Sequence, residues 1–293
     1  MKKIITAIGS VLFAVFLTAC NDDDSAGSGN SGDQVAFDIT RLTPTSHFYG
    51  TAAYTENARG IQLIGDTLLT VFSRDNNQAI NFRMQTAGDI TSAVYHSHFS
   101  ADEFLGSTEQ TANGHGIYLR TTDLRKMWIF NRTEVWEFDL ADAGDLSSAA
   151  YSGYLDVAGE VERGHGIYFN PDGTRLYIDD RGGATVHQYD LAAPWSISET
   201  VSHISLDISA RHDAVRAVVF DPDGSRMFLL DTERRELQAY GLSVAWDLSS
   251  AVYRNEYSLY LSNPRGFCWS RDGKRAYVMN TDNGRVFEYA VGE

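Results

Sequence analysis

Apolar residues along most of this chain come in short runs that alternate with polar ones. Val135-Trp136-Glu137-Phe138, Val186-His187-Gln188-Tyr189, Leu237-Gln238-Ala239-Tyr240 and Val286-Phe287-Glu288-Tyr289 repeat with period two, and Ile80-Asn81-Phe82 is a shorter version. That period predicts half-buried strands rather than helices. Two further runs precede each of these, as in Gly166-Ile167-Tyr168-Phe169 and Arg175-Leu176-Tyr177-Ile178, joined by the turn residues Pro171-Asp172-Gly173. An Asp-Gly pair between apolar runs predicts a tight turn with a left-handed residue.

The pattern recurs at intervals of about 50 residues. Five units begin at Arg59-Gly60-Ile61, His115-Gly116-Ile117, His165-Gly166-Ile167, Arg216-Ala217-Val218 and Arg265-Gly266-Phe267. Four of them continue through a linker, Gly88-Asp89-Ile90-Thr91-Ser92-Ala93, Gly144-Asp145-Leu146-Ser147-Ser148-Ala149, Trp195-Ser196-Ile197-Ser198-Glu199-Thr200 or Trp246-Asp247-Leu248-Ser249-Ser250-Ala251, into a fourth strand. Four antiparallel strands per repeat describe a β-propeller blade, so an all-β fold of five four-stranded blades is expected over residues 35–293. The fifth unit ends after its third strand. A segment from Val35 through Tyr49 stands where its outer strand is needed, which predicts a ring closed by the amino-terminal strand and free of open edges. Six blades is the alternative if that segment belongs to a blade of its own.

Units written Gly-Ile-x-Phe-x-Pro-Asp-Gly-x-x-Leu-Tyr-Ile with a Trp-Asp-Leu-Ser-Ser-Ala linker resemble the lactonase-type and YVTN-type propeller repeats of bacterial surface proteins. The resemblance covers nearly all of residues 35–293. It rests on turn and packing residues, so it bears on fold more than on activity.

The amino terminus adds a location. Met1-Lys2-Lys3, an apolar run from Ile4 to Phe16 and Leu17-Thr18-Ala19-Cys20 form a secretory leader over residues 1–19 whose end resembles the bacterial lipobox. That resemblance implies lipidation of Cys20 and a place in the bacterial cell envelope, with the outer membrane favoured and its periplasmic or surface face left open. The membrane would be met through the lipid anchor only. Residues 20–34 are rich in Asp, Ser, Gly and Asn and read as a flexible tether. The other cysteine, Cys268, lies in an apolar run and reads as a core residue, so no internal disulfide is expected once Cys20 is acylated. A net charge of −15 argues against nucleic acid as a partner.

Superposing the units isolates one column that turn and core demands do not explain: Arg59, His115, His165, Arg216 and Arg265, each just before the innermost strand. In a propeller these positions surround one mouth of the central channel. The turn after the second strand reaches the same face and supplies Ser73, Asn131, Asp180, Asp231 and Asn280, then Arg74, Arg132, Arg181, Thr232 and Thr281. Such a ring suits a carboxylate, sulfate or phosphate. Its alternative is a charge-balanced belt in which the arginines pair with Asp180, Asp231, Glu162 or Asp213. A divalent metal between His115, His165 and the neighbouring Asp and Asn residues is a further option, since related lactonases use calcium. The nearby arginines oppose it, and no cofactor is expected.

No Gly-x-Ser-x-Gly elbow, His-Glu-x-x-His helix or Cys-x-x-Cys pair is present. No catalytic residue is therefore assigned. The expected function is a tethered binding or scaffolding module for an envelope protein, an anionic small molecule or a glycan. A lactonase-like or other metal-assisted hydrolase at the same mouth is the alternative.

Overall fold

The computed structural model describes residues 36–55, 57–105 and 114–293. The expected leader, Cys20 and the expected tether lie outside the described residues. Among the described residues twenty strands form five four-stranded antiparallel sheets, each strand pairing with its neighbours in chain order except at the closure. A first strand, β1 (Leu42–Gly50), precedes the blades. Blade one holds β2 (Ala58–Ile64), β3 (Leu68–Ser73), β4 (Gln78–Met84) and β5 (Ala93–Ser100). Blade two holds β6 (Gly116–Leu119), β7 (Lys126–Asn131), β8 (Glu134–Leu140) and β9 (Ala149–Asp156). Blade three holds β10 (Gly164–Phe169), β11 (Arg175–Asp180), β12 (Thr185–Ala193) and β13 (Ser196–Asp207). Blade four holds β14 (Val215–Phe220), β15 (Arg226–Asp231), β16 (Glu236–Leu242) and β17 (Ala251–Ser258). Blade five holds β18 (Pro264–Trp269), β19 (Arg275–Asn280) and β20 (Arg285–Val291), and β1 completes it by pairing Leu42 with Val291 and Gly50 with Arg285. The fold is a five-bladed propeller closed as the repeat predicts.

The amino-terminal segment supplies blade five with its linker as well as its strand. In blades one, two and four a single 3₁₀ turn follows the third strand, and its Asp accepts a bond from the backbone N–H two residues on: Asp89 from Thr91, Asp145 from Ser147 and Asp247 from Ser249, each at 2.9 Å. Asp38 makes the same 2.9 Å bond to Thr40 in front of β1. The preceding residue is left-handed every time, at Phe37, Gly88, Gly144 and Trp246. Phe37, Trp195 and Trp246 also lie flat over the Asp-Gly turns, where a Cβ on Gly273, Gly173 or Gly224 would come within 2.4 Å of a ring atom. Those glycines are therefore fixed by conformation and contact together.

Apolar packing runs along the seams between blades. Phe228, Phe267 and Trp269 join blades four and five, Trp128, Phe169 and Trp195 join blades two and three, and three similar clusters fill the other seams. Cys268 packs in the seam between blades five and one, where burial pushes its thiol up to about 12. Around the channel the inner strands meet backbone to backbone. A Cβ on Gly60 would lie 2.8 Å from the His115 carbonyl oxygen, one on Gly116 2.5 Å from that of His165, and one on Gly266 2.4 Å from that of Arg59. Among the described residues no helix is long and apolar enough to cross a membrane.

Candidate functional site: a cationic cup at one channel mouth

A cavity of about 180 Å³ opens at the mouth where the inner strands begin. Arg59, Arg216 and Arg265 reach it from the starts of β2, β14 and β18, His165 from β10 and His115 from the residue before β6. Arg74, Arg132 and Arg181 come from the turns after the second strands, and Arg163 from the loop entering β10. Among the described residues no carboxylate lines the cavity.

Local irregularity aims these side chains. Strand pairing slips between Ala58 and Ile61, Gly164 and Ile167, Val215 and Ala217, and Pro264 and Gly266. Each slip spans the Arg or His position. A bulge adds an unpaired residue and turns the strand locally, which redirects one side chain in each of these four blades.

The cup is short of counter-charge. Among the described residues, Arg181 alone of the seven arginines has an ion pair, 3.6 Å from the exposed Glu233. The Nε atoms of Arg59, Arg74, Arg132 and Arg216, Nη1 of Arg265 and Nδ1 of His165 are buried without a hydrogen-bond partner, as are both ring nitrogens of His115. Unpaired buried donors cost about 1–3 kcal/mol each, and more when charged. Burial, with Arg265 and Arg74 nearby, pushes the Arg59 guanidinium down to about 9. Burial and the neighbouring Arg265, Arg181 and Arg59 push Arg216 down to about 8. Arg265 and Arg132 shift the same way, chiefly through burial.

Both histidines are held neutral. Burial is the main cause, reinforced by Arg59 and Arg216 at His115 and by His115 and Arg216 at His165. An Nη1 of Arg216 donates to Nε2 of His165, which makes that nitrogen the acceptor and places the ring proton on Nδ1. A guanidinium resists giving up its proton, so the strain is relieved most cheaply by an incoming anion.

The acids and amides of the second-strand ends face away from the cup. Asp180 accepts from the backbone N–H groups of Glu162, Arg163 and Gly182 at 3.0, 2.7 and 2.8 Å. Asp231 accepts from those of Asp213, Ala214 and Arg234. Asn280 accepts from Asn263 at 2.8 Å, and Asn131 donates to Glu134 at 2.8 Å. Thr232 and Thr281 bond to the carbonyls of Pro264 and Ala58 in the next blade. Asp180, Asp231, Asn280, Thr232 and Thr281 thus fasten the segments entering inner strands. Asp213 pairs with Arg234 at 2.8 Å, and Glu162 lies over Gly182. The charge-balanced belt is thus not the arrangement observed. A metal does not fit this donor set either: the seven guanidiniums repel a divalent cation, and no carboxylate among the described residues lines the cavity to join the two imidazoles as a ligand.

One buried acid stands out. Asp179 occupies a position held by Phe72, Phe130, Leu230 and Met279 in the other blades, and its oxygens accept from the N–H groups of Gly166 at 2.7 Å and His165 at 3.2 Å. Burial pushes it up to about 7, against those bonds and Arg216.

No family model and no curated protein matches this sequence. Among solved structures, a candidate 6-phosphogluconolactonase from Bacteroides uniformis is similar with a TM-score of 0.50 at 12% identity, covering 80% of this chain and 66% of that one. A protein from Lactobacillus plantarum is similar with a TM-score of 0.50 at 14% identity, covering 77% of this chain and 64% of its own. This chain thus spans about two thirds of their length, and at such identity the likeness is one of propeller fold.

Proposed function

We propose that this protein is an anion receptor of the bacterial cell envelope, held at a membrane surface by lipid on Cys20, with the cationic cup as its binding site. Seven arginines and two neutral histidines around 180 Å³, with one ion pair to those arginines among the described residues, support this reading. The volume suits a compact, densely charged group such as a phosphate, pyrophosphate or sulfate ester, on a small molecule, a glycan or an envelope protein. Guanidiniums grip such groups with paired hydrogen bonds. The overall negative charge keeps other anions off the remaining surface and focuses attraction at the mouth.

Calorimetric titration with pyrophosphate and sulfate tests it. Binding that disappears in the triple variant Arg59→Ala/Arg216→Ala/Arg265→Ala is the expected result. Equal heats for both proteins would remove the assignment.

The second reading is a lactonase-like hydrolase at the same cup, favoured by the fold shared with the candidate 6-phosphogluconolactonase. The cup would bind the phosphate of a phosphorylated sugar lactone, and guanidiniums would stabilise the oxyanion formed as water adds to the carbonyl. Acid release from such a lactone in a pH-stat, lost with Arg216→Ala, distinguishes catalysis from binding.

A further inference from the structure

The opposite end of the channel holds a second, larger cavity of about 490 Å³, within the range of ~300–1,000 Å³ usual for small-molecule sites. Its wall is apolar. Ile61, Ile117, Ile167, Val218 and Phe267, one from each inner strand, line it together with Trp269. It opens among the turns between first and second strands, at Gly65, Thr121, Pro171, Pro222 and Arg271.

Its inner end is different. His165 and Arg216 border both this chamber and the cationic cup, and their mutual hydrogen bond, with His115 packed on His165, forms a partition between the two. Both partition residues are more than nine-tenths buried, and Arg216 Nε and His165 Nδ1 have no partner. An apolar chamber ending on a buried guanidinium is complementary to a molecule with one anionic end and a hydrocarbon body. A fully apolar guest would leave those donors unpaired, and a cation would meet Arg216.

We propose that the apolar chamber is a separate binding site for a monoanionic amphiphile, whose carboxylate or similar head meets Arg216 and His165 while its hydrocarbon body fills the space lined by the five inner strands. The chamber lies on the face opposite the cup's opening, and its occupant is recognised by hydrophobic burial, which the cup does not offer. The site stands whether or not the cup binds a multivalent anion.

Titration of the purified protein with octanoate, octanol and octylamine, followed by calorimetry and by the fluorescence of Trp269, tests the proposal. Octanoate is expected to bind at least tenfold more tightly than either other probe. Val219→Trp, which fills the chamber from a partly exposed lining position, removes octanoate binding and leaves sulfate binding at the cup unchanged. Arg59→Ala/Arg74→Ala does the reverse. Arg216→Met weakens octanoate at least tenfold, whereas Arg271→Ala at the outer rim does not. Equal affinity of the wild-type protein for the three probes overturns the proposal without needing any variant to fold. Loss of octanoate binding in Arg59→Ala/Arg74→Ala, or in Arg271→Ala, also overturns it by placing the head elsewhere. Failure of sulfate to bind the wild-type protein bears on the cup alone.

Discussion

The imidazoles of His115 and His165, from adjacent blades, lie with ring centroids 4.3 Å apart and planes inclined at 53°. Two protonated rings at that separation beside Arg59 and Arg216 would be strongly repelled, and burial already holds both well below the usual histidine value of 6.5. In the unfolded chain they take up protons as pH falls through about 6.5, while in the folded protein they do not. Proton binding then favours unfolding, so stability falls on acidification, by up to about 1.4 kcal/mol per histidine for each pH unit. Thermal melts between pH 7.5 and 5.5 are expected to decline more steeply for the wild type than for His115→Gln/His165→Gln. Parallel curves would show that the pair carries no such linkage. Added sulfate should flatten the wild-type decline, because an anion in the cup raises both histidines.

Asp179 has the opposite sign. Its native carboxyl is pushed up to about 7, from an ordinary value near 3.8, so above pH 7 the folded state carries a buried charge that the unfolded chain carries in water. That cost is full above pH 7 and fades as pH falls toward 4. Asp179→Asn is expected to raise the melting temperature at pH 8, with an advantage that narrows by pH 5. A variant equally or more strongly stabilised at pH 5 than at pH 8 would contradict this.

Arginines kept in mutual repulsion should cost stability. Arg59→Met or Arg216→Met at low salt is expected to raise the melting temperature of the anion-free protein by the equivalent of about 1 kcal/mol, roughly 2–4 °C. The same change should weaken sulfate tenfold or more, a loss of about 1.4 kcal/mol. Lower stability together with unchanged sulfate affinity would mean that these side chains serve the fold.

The ring of inner strands depends on absent side chains. A Cβ on Gly116 would sit 2.5 Å from the backbone oxygen of His165, which cannot turn aside as a flexible side chain can. Gly116→Ala is expected to cost about 1–3 kcal/mol in denaturant unfolding. Gly159→Ala, where no atom lies within 4 Å, is the control and should have little effect.

The propeller and its closure were legible because a five-fold repeat lets each unit check the others. The Leu176-Tyr177-Ile178 positions and the Asp-Gly turn recur for reasons that pattern reveals. The Arg and His column was visible for the same reason, since a polar position repeated before an apolar strand contradicts the core pattern. Arg163 was not legible: its counterparts are Asn57, Asn113, Ala214 and Asn263, so no column marks it. Nor does the sequence distinguish a carboxylate that faces the channel from one that collects backbone N–H groups, as Asp180 and Asp231 do. The apolar chamber is not legible in the sequence because it is unfilled volume, left where Gly60, Gly116, Gly166 and Gly266 let the inner strands approach closely.

Pairing of β1 with β20 ties residues 42–50 to residues 285–291. A strand made early must therefore wait, with its partner edge missing, until almost the whole propeller has been synthesised. Blades one to four are built from consecutive strands and can form in the order in which they appear. Blade five cannot, because its outer strand precedes the other four blades in the chain. Closure of the propeller thus waits on a strand made after all the others in the ring, and the seven arginines of the cup meet their full mutual repulsion only in the closed circle.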